Sequence, residues 1–193
     1  MREASIERKT RETDIKIKLN IDGNGNFKGS SGIGFFDHML NSFTVHARFD
    51  IGLSCSGDLH VDCHHTIEDI GISLGMAFKE VLDDKSGISR FGNSFIPMDE
   101  SLAQSTVDVS GRPFLIFNAD FKEEKVGDMD SCMVVEFFRA FAFNAGITLH
   151  INMLYGRNTH HMIEAIFKAV AYSLKESVKP LNTGEFLSTK GVL

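Results

Sequence analysis

His64-His65-Thr66-Ile67-Glu68 and His160-His161-Met162-Ile163-Glu164 are one word, His-His-x-x-Glu, written twice in a chain of 193 residues. Each copy opens a run of apolar residues at helical spacing; after the first come Ile67, Ile70, Leu74, Phe78 and Val81. A histidine and a glutamate one turn apart share a helix face and can grip one divalent ion. The adjacent histidine is rotated by about 100°. His65 therefore points away from the His64–Glu68 face, and His161 away from the His160–Glu164 face. One such pair could be solvated histidines at a helix start. Two copies, each with Glu in the same place, make chance a poor account. The pattern predicts a two-metal centre, with one ion near His64 and Glu68 and another near His160 and Glu164. His65 and His161 are expected to complete the site anchored by the opposite half.

Working outward from each word, the same order of elements recurs. Ile15, Ile17, Leu19 and Ile21 alternate as a strand, and Asp22-Gly23-Asn24-Gly25 reads as a turn. Residues 35–46 have helical spacing, 49–61 alternate, and 64–82 are helical. In the second half, strands at 106–109 and 114–117 flank Ser110-Gly111-Arg112-Pro113. A helix at 132–144, alternation at 147–153 and a helix at 159–177 follow. Glu12 and Glu100 stand 88 positions apart, as do Gly23 and Gly111. His38 precedes His64 by 26 residues and Glu136 precedes His160 by 24, so each half offers a candidate ligand on its first helix. The expected fold is α+β: internally duplicated ββαβα halves, with a helical layer packed between two mixed β-sheets. No Pro- or Ser-rich linker divides the halves. Residues 1–193 read as one domain of two repeats, about 1–90 and 91–193.

Bulk composition is ordinary, 42% hydrophobic and 24% charged. A net charge of −6 and a pI near 5.7 argue against nucleic acid or an anionic membrane as partner. No apolar stretch is long enough to span a bilayer, and the N-terminus has no secretory apolar segment. Cys55, Cys63 and Cys132 are an odd count without a CxxC pair, which fits reduced thiols and a cytoplasmic location. His60 and His150 fall in strand patterns and read as structural or exposed. His46 closes a helix, where a cationic side chain is favourable.

Longer words add a resemblance. Phe35-Phe36-Asp37-His38-Met39-Leu40, Asp62-Cys63-His64-His65-Thr66-Ile67-Glu68-Asp69-Ile70-Gly71, Ser110-Gly111-Arg112-Pro113, Tyr155-Gly156-Arg157-Asn158-Thr159-His160-His161-Met162-Ile163-Glu164-Ala165 and Ser188-Thr189-Lys190-Gly191 resemble the imidazoleglycerol-phosphate dehydratase family, which serves histidine biosynthesis. The resemblance covers nearly the whole chain, in the stand-alone form. It implies two Mn²⁺ per active site and a 24-mer with sites between subunits. It implies metal ligation by His38, His64, His65, Glu68, His160, His161 and Glu164. Glu136 stands where some members have His, and a carboxylate also suits Mn²⁺. Glu12 resembles the glutamate that faces the substrate hydroxyls. Arg90, Arg112, Lys168, Ser188 and Lys190 resemble the phosphate-binding set, and forked guanidinium and ammonium donors suit a phosphate monoester.

The reaction so implied removes water from imidazole glycerol phosphate to give imidazole acetol phosphate. Its difficulty is a departing proton on a carbon with no neighbouring carbonyl. A Lewis acid on each ring nitrogen would stabilise an imidazolate, which expels the adjacent hydroxyl to give a diazafulvene and acidifies the next C–H. Glu12 is the expected acid for the hydroxyl; Glu164 or a metal-bound water is expected to move the carbon proton, and His38 to ligate or relay. Two rivals stand beside this reading. A dinuclear metallohydrolase acting on a phosphoester would draw on Asp-rich ligands, and a metal-assembled storage shell would not need Arg90 and Arg112.

Overall fold

The structure is a computed structural model describing residues 2–181 and 187–189. The first half runs β1 (Glu3–Lys9), β2 (Thr13–Asn20), β3 (Phe27–Ser30), α1 (Gly34–Ala47), β4 (Asp50–Gly57) and α2 (His64–Leu82). The second runs β5 (Phe91–Met98), β6 (Ser101–Asp108), β7 (Phe114–Asn118), a small hairpin of β8 (Lys125–Val126) and β9 (Met129–Asp130), α3 (Met133–Ala145), β10 (Thr148–Tyr155) and α4 (Thr159–Ser177). The sheets have matching orders, β1-β2-β4-β3 and β5-β6-β10-β7. In each, the last pair is parallel and the others are antiparallel.

The duplication holds at single bonds. Ile21 N–H donates to the Arg2 carbonyl at 3.1 Å, and Val109 N–H to the Arg90 carbonyl at 3.0 Å. Helices α1 and α3 both end on a left-handed residue, Arg48 (φ 61°) and Gly146 (φ 67°), which are 98 positions apart. His38 and Glu136 are also 98 apart, so they occupy equivalent places. The β8–β9 hairpin is the insertion that moves the offset from 88 to 98. It also caps α1: Asp128 accepts from the N–H groups of Gly34 (2.7 Å) and Phe35 (3.1 Å), which completes the start of the helix that carries His38.

Apart from the β8–β9 hairpin, each half has one strand more than the ββαβα reading. The additions, β1 and β5, are edge strands that lead their sheets. In β1, Ala4 is buried while Glu3, Ser5, Glu7 and Lys9 are exposed or half-buried, so its apolar alternation is thin. In β5, Phe91 and Phe95 face outward, against the usual pattern. Strand β4 also ends before His60, which lies in a turn.

Helix α2 packs on β1 and β2, and α4 on β5 and β6, while α1 and α3 cover β3 and β7. Between these layers α1 meets α4 and α2 meets α3. Each half's first helix therefore lies against the other half's second helix. The centre is aromatic: Phe36 meets Phe137 edge-on at 5.2 Å, and Phe167 stacks on Phe137 at 5.5 Å and tilts against Phe138 at 4.8 Å. These four rings are fully buried, each stabilising by about 1.5–3 kcal/mol. The α2–α3 approach is tighter. A Cβ on Gly75 would lie 2.6 Å from the Phe141 carbonyl oxygen and 2.9 Å from Asn144 Cβ.

An unpacked Gly→Ala change in a helix gains up to about 1 kcal/mol. Gly75→Ala is expected to do the opposite and destabilise by about 1–3 kcal/mol, because backbone must move. The midpoint of urea unfolding of the metal-free protein measures it, and an unchanged or raised midpoint contradicts this packing.

Candidate metal centre

The first turn of α4 is built for donors. The Asn158 side chain caps the helix by accepting from His161 N–H. His160 Nε2 lies 3.4 Å from Glu164 Oε2, one turn along the same face. Helix α1, packed on α4, brings His38 Nε2 to 3.7 Å from the same oxygen. The three donor atoms lie within 4.8 Å of one another, and the edge of Phe35 backs the His160 ring at 5.0 Å. Two imidazole nitrogens and a carboxylate oxygen at this spacing fit a divalent ion, with room for further ligands. Glu164 is buried, and its other oxygen accepts from Lys168 Nζ at 2.6 Å. Burial alone would raise its carboxyl pKa. The Lys168 hydrogen bond and charge, with His38 and His160, bring it below the ordinary value.

The first-half counterpart is looser. His64 Nε2 and Glu68 Oε2 are 4.0 Å apart, and Asp62 accepts from His64 N–H at 2.7 Å in the place that Asn158 fills in α4. Glu136 does not join them. It is bound to Arg139 Nη1, at 2.6 and 2.5 Å from its two oxygens. Among the described residues, His38, His160 and Glu164 are the one group of three close donors.

Adjacent histidines diverge as their helical rotation requires, with rings 6.1 Å apart and near perpendicular in both copies. Within this chain, however, His65 and His161 stay with their own halves. His65 Nδ1 meets Asp58 at 3.0 Å and its Nε2 faces Glu12 at 3.8 Å. His161 Nδ1 meets Glu100 at 2.8 Å and its Nε2 faces Asp99 at 3.8 Å. The reason is architectural: α2 and α4 lie on different sheets, and each packs chiefly against the other half's first helix.

Asp58 and Glu100 contact the paired histidines, and the sequence reading did not assign them to the site. Each carboxylate holds a histidine by Nδ1 and leaves Nε2 outward, the arrangement that orients a metal-ligating imidazole. Hydrogen bonding to Asp58 raises the His65 pKa, and bonding to Glu100 raises that of His161. Glu100 is itself fixed by the N–H groups of Arg157 (3.1 Å) and Asn158 (2.8 Å). The His161 bond and these N–H groups hold its carboxyl far below the usual range. The offset of 88 flagged Glu100; nothing in the sequence flagged Asp58.

The residues expected to bind phosphate fall into two places. Arg90 Nε donates to Asp108 Oδ1 at 2.7 Å, and Arg112 Nη2 lies 3.4 Å from Asp108 Oδ2. Arg90 Nη1 also donates to the Leu187 carbonyl, which sets Ser188 beside this pair. Lys190 lies outside the described residues. Lys168 sits apart on Glu164. Arg90 N–H binds the Ser177 carbonyl at 2.8 Å, at the far end of α4, which is about 20 Å along the helix from Glu164. His46 tilts against Tyr172 at 5.5 Å, and its pKa is lowered by burial and then by Lys168.

Comparison with known proteins agrees with this architecture. Residues 31–174 match the family model described as imidazoleglycerol-phosphate dehydratase. The imidazoleglycerol-phosphate dehydratase of Caldicellulosiruptor bescii is 55% identical over 192 residues, covering 100% of this chain and 98% of that protein. That of Acetivibrio thermocellus is 53% identical over 193 residues, covering 100% and 99%. The crystal structure of the Staphylococcus aureus dehydratase superposes with a TM-score of 0.84 at 41% identity, covering 92% of this chain and 99% of that one. The Pyrococcus furiosus structure gives 0.84 at 34% identity, covering 97% and 100%.

Glu100→Gln tests the orienting role. Losing the carboxylate lets the His161 pKa fall toward the ordinary value, which NMR titration of the metal-free protein follows. At about pH 8, where protons no longer compete for the ring, Mn²⁺ affinity is expected to fall about 10- to 100-fold. Unchanged affinity at that pH rules out the role.

Proposed function

The chain belongs to the imidazoleglycerol-phosphate dehydratase family, and on that premise we propose how its residues carry out the dehydration of imidazole glycerol phosphate in histidine biosynthesis. The enzyme is a hydro-lyase acting on a phosphorylated imidazole, and its family is metal-dependent. The observation that carries the reading is the convergence of His38, His160 and Glu164 from two halves of one chain. The comparisons give no support to a phosphoesterase or a storage shell.

Two Mn²⁺ per active site is the proposed complement. His38, His160 and Glu164 would hold one, and His64, Glu68 and Glu136 would supply the other, with His65 and His161 presenting Nε2 to sites completed by neighbouring chains. Metal held by these residues would supply the Lewis acidity that favours loss of the ring N–H proton, and with it release of the neighbouring hydroxyl.

The protein groups divide the remaining work. Glu12 is half exposed, and its carboxylate faces His65 Nε2 without a hydrogen bond among the described residues. A carboxyl so placed is free to protonate the leaving hydroxyl. Glu164 is more committed, with Lys168 on one oxygen and two histidines on the other. That supports a ligand before a proton carrier, and leaves His38 as the further candidate for relay. Arg90, Arg112, Ser188 and Lys190 would bind the phosphate, with Asp108 holding the two guanidinium groups side by side.

A phosphorylated three-carbon chain with one imidazole is far shorter than the stretch of α4 between Glu164 and Arg90. The phosphate-binding arginines and the His38 centre of one chain would therefore serve different substrate molecules. This supports sites between subunits and a closed assembly, proposed as a 24-mer. Cross-packing of the helices supports one domain of two repeats over residues 1–193. No helix among the described residues is long and apolar enough to cross a membrane. Free Cys55, Cys63 and Cys132 support a reducing cytoplasm.

Arg112→Ala should lower kcat/KM about 10- to 150-fold by loss of a charge-assisted hydrogen bond. Metal-free Arg112→Ala and His160→Ala subunits, mixed and reassembled with Mn²⁺, should recover part of the activity that neither has alone. Hybrid assemblies with no recovery would mean that each site is built by a single chain. Anomalous scattering from Mn²⁺-loaded crystals counts the ions, and one ion per site would sink the two-metal proposal.

A further inference from the structure

The two halves treat the same turn differently. In the second half, Glu100 is fully engaged by His161 and by the N–H groups of Arg157 and Asn158. Glu12 holds the equivalent place in the first half, yet Asp58 takes His65 Nδ1 and Asp62 takes His64 N–H. Glu12 is thereby released from any orienting duty. Its turn is held by something else. Asp69, on α2, is 6% exposed. It accepts from Thr13 Oγ1 at 2.5 Å and pairs with Arg8 Nη2 at 3.0 Å. Thr13, itself 3% exposed, follows Glu12 directly. Thr10 closes the turn, its hydroxyl accepting from the N–H groups of Glu12 (3.1 Å) and Thr13 (3.0 Å). Thr10 N–H in turn donates to the Thr13 carbonyl at 2.9 Å.

The second half has no counterpart to this clamp. At the positions matching Asp69, Thr13 and Arg8 stand Ala165, Ser101 and Ile96. A buried carboxylate is costly unless it is paired, and this chain keeps one under the Glu12 turn alone. We propose that Asp69 is a positioning residue: through Thr13 and Arg8 it fixes the Thr10–Thr13 turn so that the Glu12 carboxylate stands opposite His65 for proton transfer. The proposal rests on the reading of Glu12 as the acid. Asp69 touches neither substrate nor metal. Its effect is geometric, since proton transfer needs hydrogen-bond reach and a displacement of about 1 Å can cost on the order of 100-fold in rate.

Thr13→Val removes one hydroxyl at nearly constant volume, and Asp69→Asn removes the charge at constant shape. Both are assayed as the assembled, Mn²⁺-loaded enzyme. Each should lower kcat about 10- to 100-fold and leave KM, particle mass and metal content unchanged. Thr13→Ser, which restores the hydroxyl, should recover most of the turnover. In a Glu12→Gln background, adding Thr13→Val should change kcat little, because the group to be positioned is gone. An equal loss in both backgrounds, a change in KM alone, or failure of both variants to assemble would make Asp69 a structural residue and overturn the proposal. If Glu12→Gln itself turns over normally, the assignment of Glu12 as acid fails, and the clamp falls with it. Additivity in a Glu12→Gln background that is slowed but still measurable sinks the clamp alone.

Discussion

The exchange of helices between halves is the constraint on which the rest depends. Were α1 to pack on α2 of its own half, His38 would stand with His64, and α4 would have only His160 and Glu164. Because α1 lies on α4, the half-site is joined by a residue more than a hundred positions away in the chain. The burial that enforces this is aromatic and central: Phe36 on α1 meets Phe137 on α3 and Phe167 on α4. A shift of any of these helices would open a cavity among four fully buried rings, and close-packed interiors resist that. The donor spacing at the surface is therefore set by packing beneath it.

Much of this was legible in the sequence. The spans of α2 and α4 follow directly from their apolar spacing, and the repeated word gave the duplication. The edge strands were not legible, because β1 carries charges along it and β5 turns Phe91 and Phe95 outward, so neither shows the alternation of a strand covered on one face. The partners of His65 and His161 were half legible. Glu100 could be found by its offset from Glu12, but Asp58 comes from a turn after β4 whose path no periodicity encodes. The pairing of Arg90 and Arg112 through Asp108 depends on where β6 ends relative to α4, which is tertiary information.

Duplication also explains why equivalent positions behave unequally. His38 can approach the Glu164 carboxylate without charge repulsion and gains from it if protonated. Glu136, its counterpart, would bring a second carboxylate toward Glu68. Like charges at short range are unfavourable without a cation between them, and Arg139, one turn along α3, provides one at hydrogen-bond distance. One half-site is therefore assembled by neutral and opposite charges, while the other holds its extra carboxylate aside on an arginine.

The same divergence has sorted the carboxylates by task. Asp58 and Glu100 are bound to imidazole Nδ1 atoms, and Asp62 to a helix N–H. Asp69 is buried under a turn, and Glu164 is shared between a lysine and two histidines. Each is pinned by hydrogen-bond or ion-pair partners, and a carboxylate held in this way is poorly placed to carry a proton. Glu12 reaches the surface beside His65 Nε2 with no hydrogen bond on its oxygens among the described residues, as Asp99 does beside His161 Nε2. Two halves built on one pattern thus treat equivalent glutamates differently: Glu12 is left without the N–H and imidazole bonds that hold Glu100. A symmetric pair of sites would have to leave both glutamates free, and the orientation of His161 would be lost with the second.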